Sequence, residues 1–429
     1  MRRASFGRSK SLFDVLSGCL LAIAIMLGGA QASSLKALLS EKLWTKRDAY
    51  DAAHFLMIPM IDAYERDDTA TMESFRGLVG RYLDEQSQPD LGLLTELQFS
   101  YLISRFAAVE ATKSGCTALV RKTRDRLTRD VTGALLAPAW LWTMPDFPNM
   151  FDRADWKLAQ KATKPSYLRA FFDEELFAFA ISADLTVVAR ACDEEPAAVI
   201  GKAVELGRHI MLAEGQFQNG RWQFQPGVWR DHPDFAYAGN TMFGPGLEKN
   251  PVDGIGGDSS HASRLPLIID SLICASPKES AARKKLEEVR IGLTKSFLDD
   301  VYMPPSRTFP AVRLTNYMTG HNGVYRYSYA TVGPGGGYGP FGLTSTFNLG
   351  WWAMLGSALQ APYRLQLNSL PFSGAVMELY LEPHVTDDKA PRDRNPAFAD
   401  KAYLQGDFIA AVLESSIRVA ERNRGCPLD

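Results

Sequence analysis

Apolar residues spaced three and four positions apart dominate this chain of 429 residues, and that spacing predicts helices. The alternation of apolar and polar residues that marks strands is weak and confined to the region 307–331. The regular strand–helix rhythm of a doubly wound sheet is absent. We therefore expect a mostly helical fold. The segments with helical spacing are 33–66, 91–114, 116–135, 172–192, 199–210, 286–297 and 408–419.

The irregular segments between these helices carry many aromatic residues. Three of them, 138–156, 217–245 and 316–352, are long and rich in Trp, Tyr and Phe. Helical hairpins that close into a ring, an α/α toroid, gather their loops at one end and build a cleft there. We expect residues 33–429 to form a single domain of this kind, an incomplete barrel of helical hairpins with long cleft-lining loops. An ordinary all-helical domain with long surface loops is the alternative.

The first 32 residues have the composition of a secretory signal peptide. Arg2 and Arg3 begin a basic stretch, an apolar run covers 16–27, and Ala-Gln-Ala at 30–32 forms a small-residue cleavage signal. We expect a periplasmic or secreted protein that contacts a membrane only through this segment, if it stays uncleaved. No later stretch is long and apolar enough to cross a bilayer.

Cysteine use fits export but leaves the pairing open. Four cysteines follow the signal segment, at positions 116, 192, 274 and 426. An oxidising compartment permits disulfides, and four cysteines allow three pairings. Buried free thiols are the alternative.

Charge and motif content exclude several classes of partner. The formal net charge is −2 and no basic block occurs, so we expect no nucleic acid. The glycine-rich run 333–342 lacks the Gly-Lys-Ser/Thr ending of a phosphate loop, so we expect no nucleotide. The histidines have no partners at metal-ligand spacing, and we expect neither a metal nor another cofactor.

Trp351 and Trp352 fit either the core or a sugar-stacking platform.

The segment 227–240 carries the densest set of chemically useful side chains. His232, one of six histidines, precedes Tyr237 by five residues and Asn240 by eight. Neutral histidine suits a general base near pH 7, tyrosine can donate a proton, and asparagine or arginine can bind a carboxylate. A loop histidine hydrogen-bonded to Asp231 or Asp234 is the alternative for His232.

This segment resembles the active-site stretch of the hyaluronate and chondroitin AC type of polysaccharide lyases. The residues at the spacing of the family pattern are Gly227, Trp229, His232, Tyr237 and Gly239. The resemblance implies a toroid domain, elimination on a uronate polymer and a general base at His232. Thr241 stands where the family has its catalytic tyrosine, so the resemblance leaves the proton donor open.

The stretch 313–326 resembles, more loosely, the family segment whose two arginines bind substrate. His321 stands near the position of the first arginine, and Arg326 is similar to the second. A structural ion pair is the alternative for Arg326. Alternation of Tyr325, Tyr327 and Tyr329 also fits packing on one face of a strand.

A third group, 258–264, follows a glycine-rich stretch and enters a helix at about Ala262. Ser259 or Ser260 is the expected cap of that helix. His261 and Arg264 would then face the cleft, with helix capping and loop closure as the structural alternative.

These patterns together predict an exported lyase that cleaves an anionic, uronic-acid-containing polysaccharide. The catalytic candidates are His232, Tyr237, Tyr325 and Tyr327. The substrate-binding candidates are Trp229, Arg230, Asn240, His261, Arg264, Asn316, His321 and Arg326.

Two other functions remain open at this stage. An inverting glycoside hydrolase on a similar toroid needs two separated carboxyl groups, and its candidates are Asp231, Asp234, Asp253 and Asp258. A polysaccharide-binding or export protein would have the cleft but no catalytic activity.

Overall fold

Helices make up most of the computed structural model, which confirms the prediction of a mostly α fold. The structure describes residues 35–41, 43, 46–84, 91–329, 333, 335–381, 407–422 and 426, so the predicted signal segment lies outside the described residues. The α-helices of the described part are α1 (Leu35–Ser40), α2 (Lys46–Glu65), α3 (Thr69–Asp84), α4 (Leu93–Ser114), α5 (Ala118–Leu136), α6 (Met150–Ala159), α7 (Asp173–Ala191), α8 (Ala198–Ala213), α9 (Ser259–Ala262), α10 (Leu265–Ala275), α11 (Ala281–Ser296), α12 (Gln360–Leu367), α13 (Gly374–Leu381) and α14 (Asp407–Glu421).

The strands of the described residues are short and pair as three antiparallel ribbons. These are β1 (Ala139–Leu141) with β2 (Met144–Phe147), β3 (Gly215–Gln218) with β4 (Arg221–Phe224), and β5 (Tyr302–Met303) with β6 (Arg313–Leu314). The alternative that one strand face holds Tyr325, Tyr327 and Tyr329 is wrong. Arg326 and Ser328 have φ angles of 51° and 59°, so the chain turns between the tyrosines instead of running extended.

Six elements contact one another in a closed cycle. Helix α2 packs on α4, α4 on α7, α7 on α10, α10 on the 3₁₀ helix Trp351–Leu355, that segment on α14, and α14 again on α2. Helices α5, α8 and α11 flank this cycle: α5 packs on α4 and α7, α8 on α7, and α11 on α10. Helix α7 is buried along almost its whole length, including the charged residue Asp184.

A buried ion-pair network joins three helices of the cycle. Arg105 of α4 donates through Nη1 to Asp184 of α7 at 3.0 Å and through Nη2 to Asp270 of α10. The Tyr101 hydroxyl lies 2.9 Å from the Ser271 hydroxyl, and Arg105 Nη1 donates to that same serine at 3.1 Å. The single cation therefore pairs with both carboxylates, which would otherwise be buried without a charged partner.

Trp351 and Trp352 belong to the core. Both side chains are fully buried, and the Trp352 ring stacks on Phe297 at 4.1 Å between centroids. The Trp351 indole N–H donates to the main-chain oxygen of His54 at 2.7 Å. Neither ring is therefore a platform for sugar.

Among the residues that the structure describes, no helix has both the length and the apolar composition needed to span a bilayer.

Two disulfides select one of the three possible pairings. Cys116 at the start of the α4–α5 connection bonds Cys192 at the end of α7. Cys274 near the end of α10 bonds Cys426, which follows α14. Each bond joins distant parts of the sequence, so both restrict the unfolded chain.

Replacing Cys116 and Cys192 together by serine is expected to lower the free energy of unfolding by about 4 kcal/mol, because the bond closes a long loop in the unfolded chain. The sequence separation is 76 residues. Urea unfolding of the variant and the wild type measures the difference. Equal unfolding midpoints with equal slopes would contradict this expectation.

Candidate active site

A cleft of about 450 Å³ opens where the aromatic loops meet. Each of the three aromatic segments contributes to its lining, through residues 140–142, 222–235 and 318–329. The start of α7 and the stretch 257–265 complete it. This volume lies within the range of small-ligand sites.

Part of the cleft lining is an aromatic surface fixed by polar groups behind it. Trp140 is 41 % exposed, yet its indole N–H donates to Glu174 at 2.8 Å and its main-chain oxygen accepts from Arg153 at 2.7 Å. Trp142 and Phe172 pack against it, with ring centroids 5.7 and 5.3 Å away. Sequence reasoning missed these residues, although Trp140 and Trp142 lie in the aromatic segment 138–156 that the sequence singles out.

Two basic side chains lie directly beneath this aromatic surface. Lys157 Nζ is 3.9 Å and Arg153 Cζ is 4.7 Å from the centroid of the Phe172 ring. Lys157 also donates to Glu175 at 2.5 Å. Burial lowers the pKa of Lys157 to about 7, although the Glu175 carboxylate opposes that shift. The cation–π contacts help to hold the Phe172 ring in place.

His261 and Asp258 form a carboxylate–histidine pair at the cleft. His261 Nδ1 lies 2.9 and 2.8 Å from the two oxygens of the Asp258 carboxylate, so Nδ1 carries the proton and donates. Burial would raise the pKa of Asp258, but His261 lowers it below its usual range. His261 Nε2 is therefore left as a proton acceptor on a side chain that is 41 % exposed.

The same aspartate organises the backbone that carries His261. Asp258 caps the short helix α9 by accepting from the main-chain N–H of His261 at 3.0 Å. The prediction that Ser259 or Ser260 caps this helix is therefore wrong. Because Asp258 precedes His261 by three residues, its carboxylate can accept from both the backbone N–H and the imidazole of His261.

His232 also lines the cleft, but in the opposite hydrogen-bonding state. Its Nδ1 accepts from the main-chain N–H of Asp234 at 3.2 Å. The rings of Tyr167 and Trp229 meet it edge-on, at 4.8 and 5.4 Å between centroids. Burial lowers the pKa of His232; Asp234 raises it and Arg326 lowers it further, leaving it below the usual range.

Arg326 brings a positive charge to the cleft. Its Nε donates to Asp234 Oδ2 at 2.9 Å, and its main-chain N–H donates to the main-chain oxygen of Asp234 at 3.0 Å. Its Cζ stands 4.7 Å from the centroid of the Tyr329 ring. Within the described residues, its two terminal nitrogens have no hydrogen-bond partner, so they remain available to an anion.

Tyr325 contributes a hydroxyl group. Its side chain lines the cleft and is almost fully buried, and the hydroxyl has no hydrogen-bond partner in the described part of the chain. Its hydroxyl oxygen is nevertheless not sealed from solvent. Burial raises the pKa of Tyr325 well above its usual range, so the hydroxyl stays protonated. Arg326 Cζ lies 5.1 Å from the centroid of this ring.

Of the candidates from sequence, the cleft brings together Trp229, His232, His261, Tyr325 and Arg326. Tyr237 and Tyr327 pack against each other instead, with centroids 4.7 Å apart, outside the described lining. The Tyr327 hydroxyl donates to the Gly244 oxygen at 3.2 Å. Asn240 donates to the main-chain oxygen of Glu248 at 3.0 Å.

The remaining candidates also lie outside the described lining. Asn316 is buried and donates to the main-chain oxygens of Gly323 and Gly339, each at 2.8 Å. Arg264 is buried in an ion pair with Asp173 at 3.2 Å. The other two are at the surface: Arg230 is 4.0 Å from Asp253, and His321 is 3.0 Å from the Thr319 hydroxyl.

The cleft therefore combines a proton acceptor, a neutral hydroxyl and a cation beside an aromatic surface. The described residues contain no group of three or more His, Cys, Asp or Glu side chains that is suited to a metal ion. Comparisons with protein-family models, with curated proteins and with solved structures find no significant match to this chain.

Proposed function

We propose that the protein is an exported polysaccharide lyase that cleaves a uronic-acid-containing polysaccharide by β-elimination. The observation that carries this proposal is the presence of the His261–Asp258 pair, Arg326 and the Tyr325 hydroxyl in one cleft. The closed cycle of helix contacts supports an incomplete α/α toroid as the scaffold. The two disulfides support an oxidising compartment outside the cytoplasm.

Arg326 receives the uronate carboxylate in this mechanism. Its two terminal nitrogens can donate to both carboxylate oxygens, as guanidinium groups do in bidentate pairs. Neutralising that carboxylate stabilises the negative charge that develops when the proton on C5 leaves. The contact of Arg326 Nε with Asp234 fixes the guanidinium before substrate arrives.

His261 then takes the proton from C5 through Nε2. The Asp258 carboxylate holds the required tautomer and stabilises the imidazolium that forms. As the C5–H bond breaks, a double bond forms between C4 and C5, and the bond from C4 to the glycosidic oxygen breaks. The Tyr325 hydroxyl gives its proton to that oxygen, and the resulting phenolate lies beside Arg326. The proton on His261 is available to restore the tyrosine.

The geometry favours His261 over His232 as the base. Nδ1 of His232 already accepts a backbone N–H, so a neutral His232 carries its proton on Nε2. A base needs a lone pair where its ring meets the substrate. His261 has that lone pair on Nε2, and His232 does not.

The pairing of carboxylates in and beside the cleft supports elimination over hydrolysis. Asp234 pairs with Arg326, and Asp258 with His261. Asp231 accepts from the backbone and hydroxyl of Ser166, which lower its pKa despite partial burial. Asp253 is 99 % exposed. Hydrolysis needs a carboxylic acid that keeps its proton, whereas their hydrogen-bond partners lower the pKa of the Asp231 and Asp258 carboxyl groups.

Ultraviolet absorbance tests the reaction. Protein lacking residues 1–32 is incubated with hyaluronan, chondroitin, alginate, pectate and bacterial exopolysaccharides. Elimination leaves a conjugated double bond that absorbs, so we expect a rise with at least one polymer. New reducing ends without absorbance would favour the hydrolase. Polymer binding without new ends would favour a binding protein.

Arg326→Gln is expected to lower kcat/KM on the responsive polymer by about 10²-fold or more, because the carboxylate loses its charged partner. Arg326→Lys keeps the charge but loses the bidentate geometry, so we expect an intermediate loss. Steady-state absorbance assays measure both. Arg230→Gln is the control, since Arg230 lies outside the described lining. Equal kcat/KM for Arg326→Gln and the wild type would contradict the assignment.

A further inference from the structure

We propose that His232 is a neutral hydrogen-bond donor in the cleft, and that its Nε2–H binds an oxygen of the sugar. This inference rests on the proposed function and assigns a role that differs from acid–base catalysis. It follows from the tautomer of the ring, from the atom that faces the cleft and from the groups that surround it.

A backbone contact fixes the tautomer. Nδ1 accepts from the main-chain N–H of Asp234 at 3.2 Å, and a nitrogen that accepts cannot carry the proton. The Asp234 carboxylate does not offer an alternative acceptor for Nδ1, because its Oδ2 is 4.0 Å away, beyond hydrogen-bond range. That oxygen accepts from Arg326 Nε instead. The neutral ring therefore carries its proton on Nε2.

The remaining ring nitrogen is the one that reaches the cleft. The side chain is 16 % exposed and belongs to the lining. Nε2 makes no hydrogen bond to any described residue. It is nevertheless not sealed from solvent. An N–H group placed in this way can meet an acceptor oxygen on a bound sugar.

The surroundings keep the ring uncharged. Trp142, Tyr167, Trp229 and Phe235 enclose it, with centroids between 4.8 and 6.1 Å. The charged groups that act on it are Asp231, Asp234, Asp258 and Arg326. Burial is the largest influence, and it disfavours the imidazolium. His232 and His261 thus present opposite groups to the cleft, a donor and an acceptor.

Nitrogen NMR of the full mature protein, labelled with ¹⁵N-histidine, tests the tautomer without any substrate. The sequence has six histidines, and His232→Gln identifies the signals of His232 by their loss. We expect a neutral ring at pH 7 with the proton on Nε2. A proton on Nδ1, or a charged ring at pH 7, would overturn the proposal.

Two substitutions test the donor role in the reaction. Glutamine places an amide N–H near the position of Nε2, whereas asparagine places it near Nδ1. We expect His232→Gln to keep kcat/KM within a few-fold of the wild type and His232→Asn to lose about tenfold or more, the equivalent of one hydrogen bond to substrate. If His232 were the base, both variants would lose about 10²-fold or more.

The two experiments separate this inference from the proposed function. If no polymer is cleaved by elimination, the proposed function fails, and the NMR tautomer still decides the state of His232. If elimination occurs and His232→Gln is as inactive as His232→Asn, the donor role fails while the lyase stands.

Discussion

His261→Gln lowers kcat for elimination by about 10² to 10⁴-fold, since an amide cannot accept the proton that Nε2 of the imidazole accepts. The side chain lies on the helix capped by Asp258, and glutamine is tolerated in helices, so the variant is expected to fold. Steady-state ultraviolet assays at several pH values measure the effect. His321→Gln is the matched control, because His321 lies outside the described lining.

Asp258→Asn tests the same pair from the other side. Asparagine caps helices as well as aspartate does, so the backbone contact to His261 survives. Its amide cannot stabilise an imidazolium as a carboxylate does, and activity should fall by a similar order of magnitude. Full activity in either variant would remove His261 from the role of base.

Arg105→Met lowers the free energy of unfolding by about 3 to 5 kcal/mol, because Asp184 and Asp270 lose the cation between them and stay buried. Urea unfolding measures the change. Adding Asp184→Asn and Asp270→Asn to that variant removes both buried charges and is expected to recover part of the loss. A change below about 1 kcal/mol would show that water or another group compensates.

The Arg105 variant also has a defined pH dependence. Burial raises the pKa of Asp184, and Arg105 opposes this in the wild type. Without Arg105 the folded pKa moves higher above the unfolded value. The folded state then binds more protons than the unfolded state as pH falls, so protonation stabilises the variant. The difference in stability between variant and wild type should therefore shrink from pH 7 toward pH 4.

The helices could be predicted from sequence because their apolar spacing is local. Helices α4, α5, α7, α8, α11 and α14 all fall on segments with that spacing. The His261–Asp258 pair could be predicted from sequence for the same reason, since its members are three residues apart, within one turn of helix. The order in which helices contact one another depends on distant residues, and spacing carries no information about it.

The candidate site was harder to predict, because residue type does not fix the hydrogen-bond partner. Asn240, Asn316 and Tyr327 have side chains suited to sugar, yet they bind main-chain oxygens of the loops around them. Irregular loops leave many backbone groups without ladder partners, and nearby side chains satisfy them. The tautomer of His232 likewise depends on one backbone N–H that sequence does not position.

The contact between α2 and α14 has a consequence for how the chain is made. Asp62 on α2 binds Arg418 on α14 at 2.9 Å, across 356 residues of sequence. Phe55 and Phe408 meet across the same seam, with centroids 5.9 Å apart. This face of α2 therefore stays uncovered until α14 has left the ribosome. Nascent chains expose this apolar surface for as long as the ribosome takes to make the residues between the two helices, and chaperones that recognise such surfaces can bind it during that time.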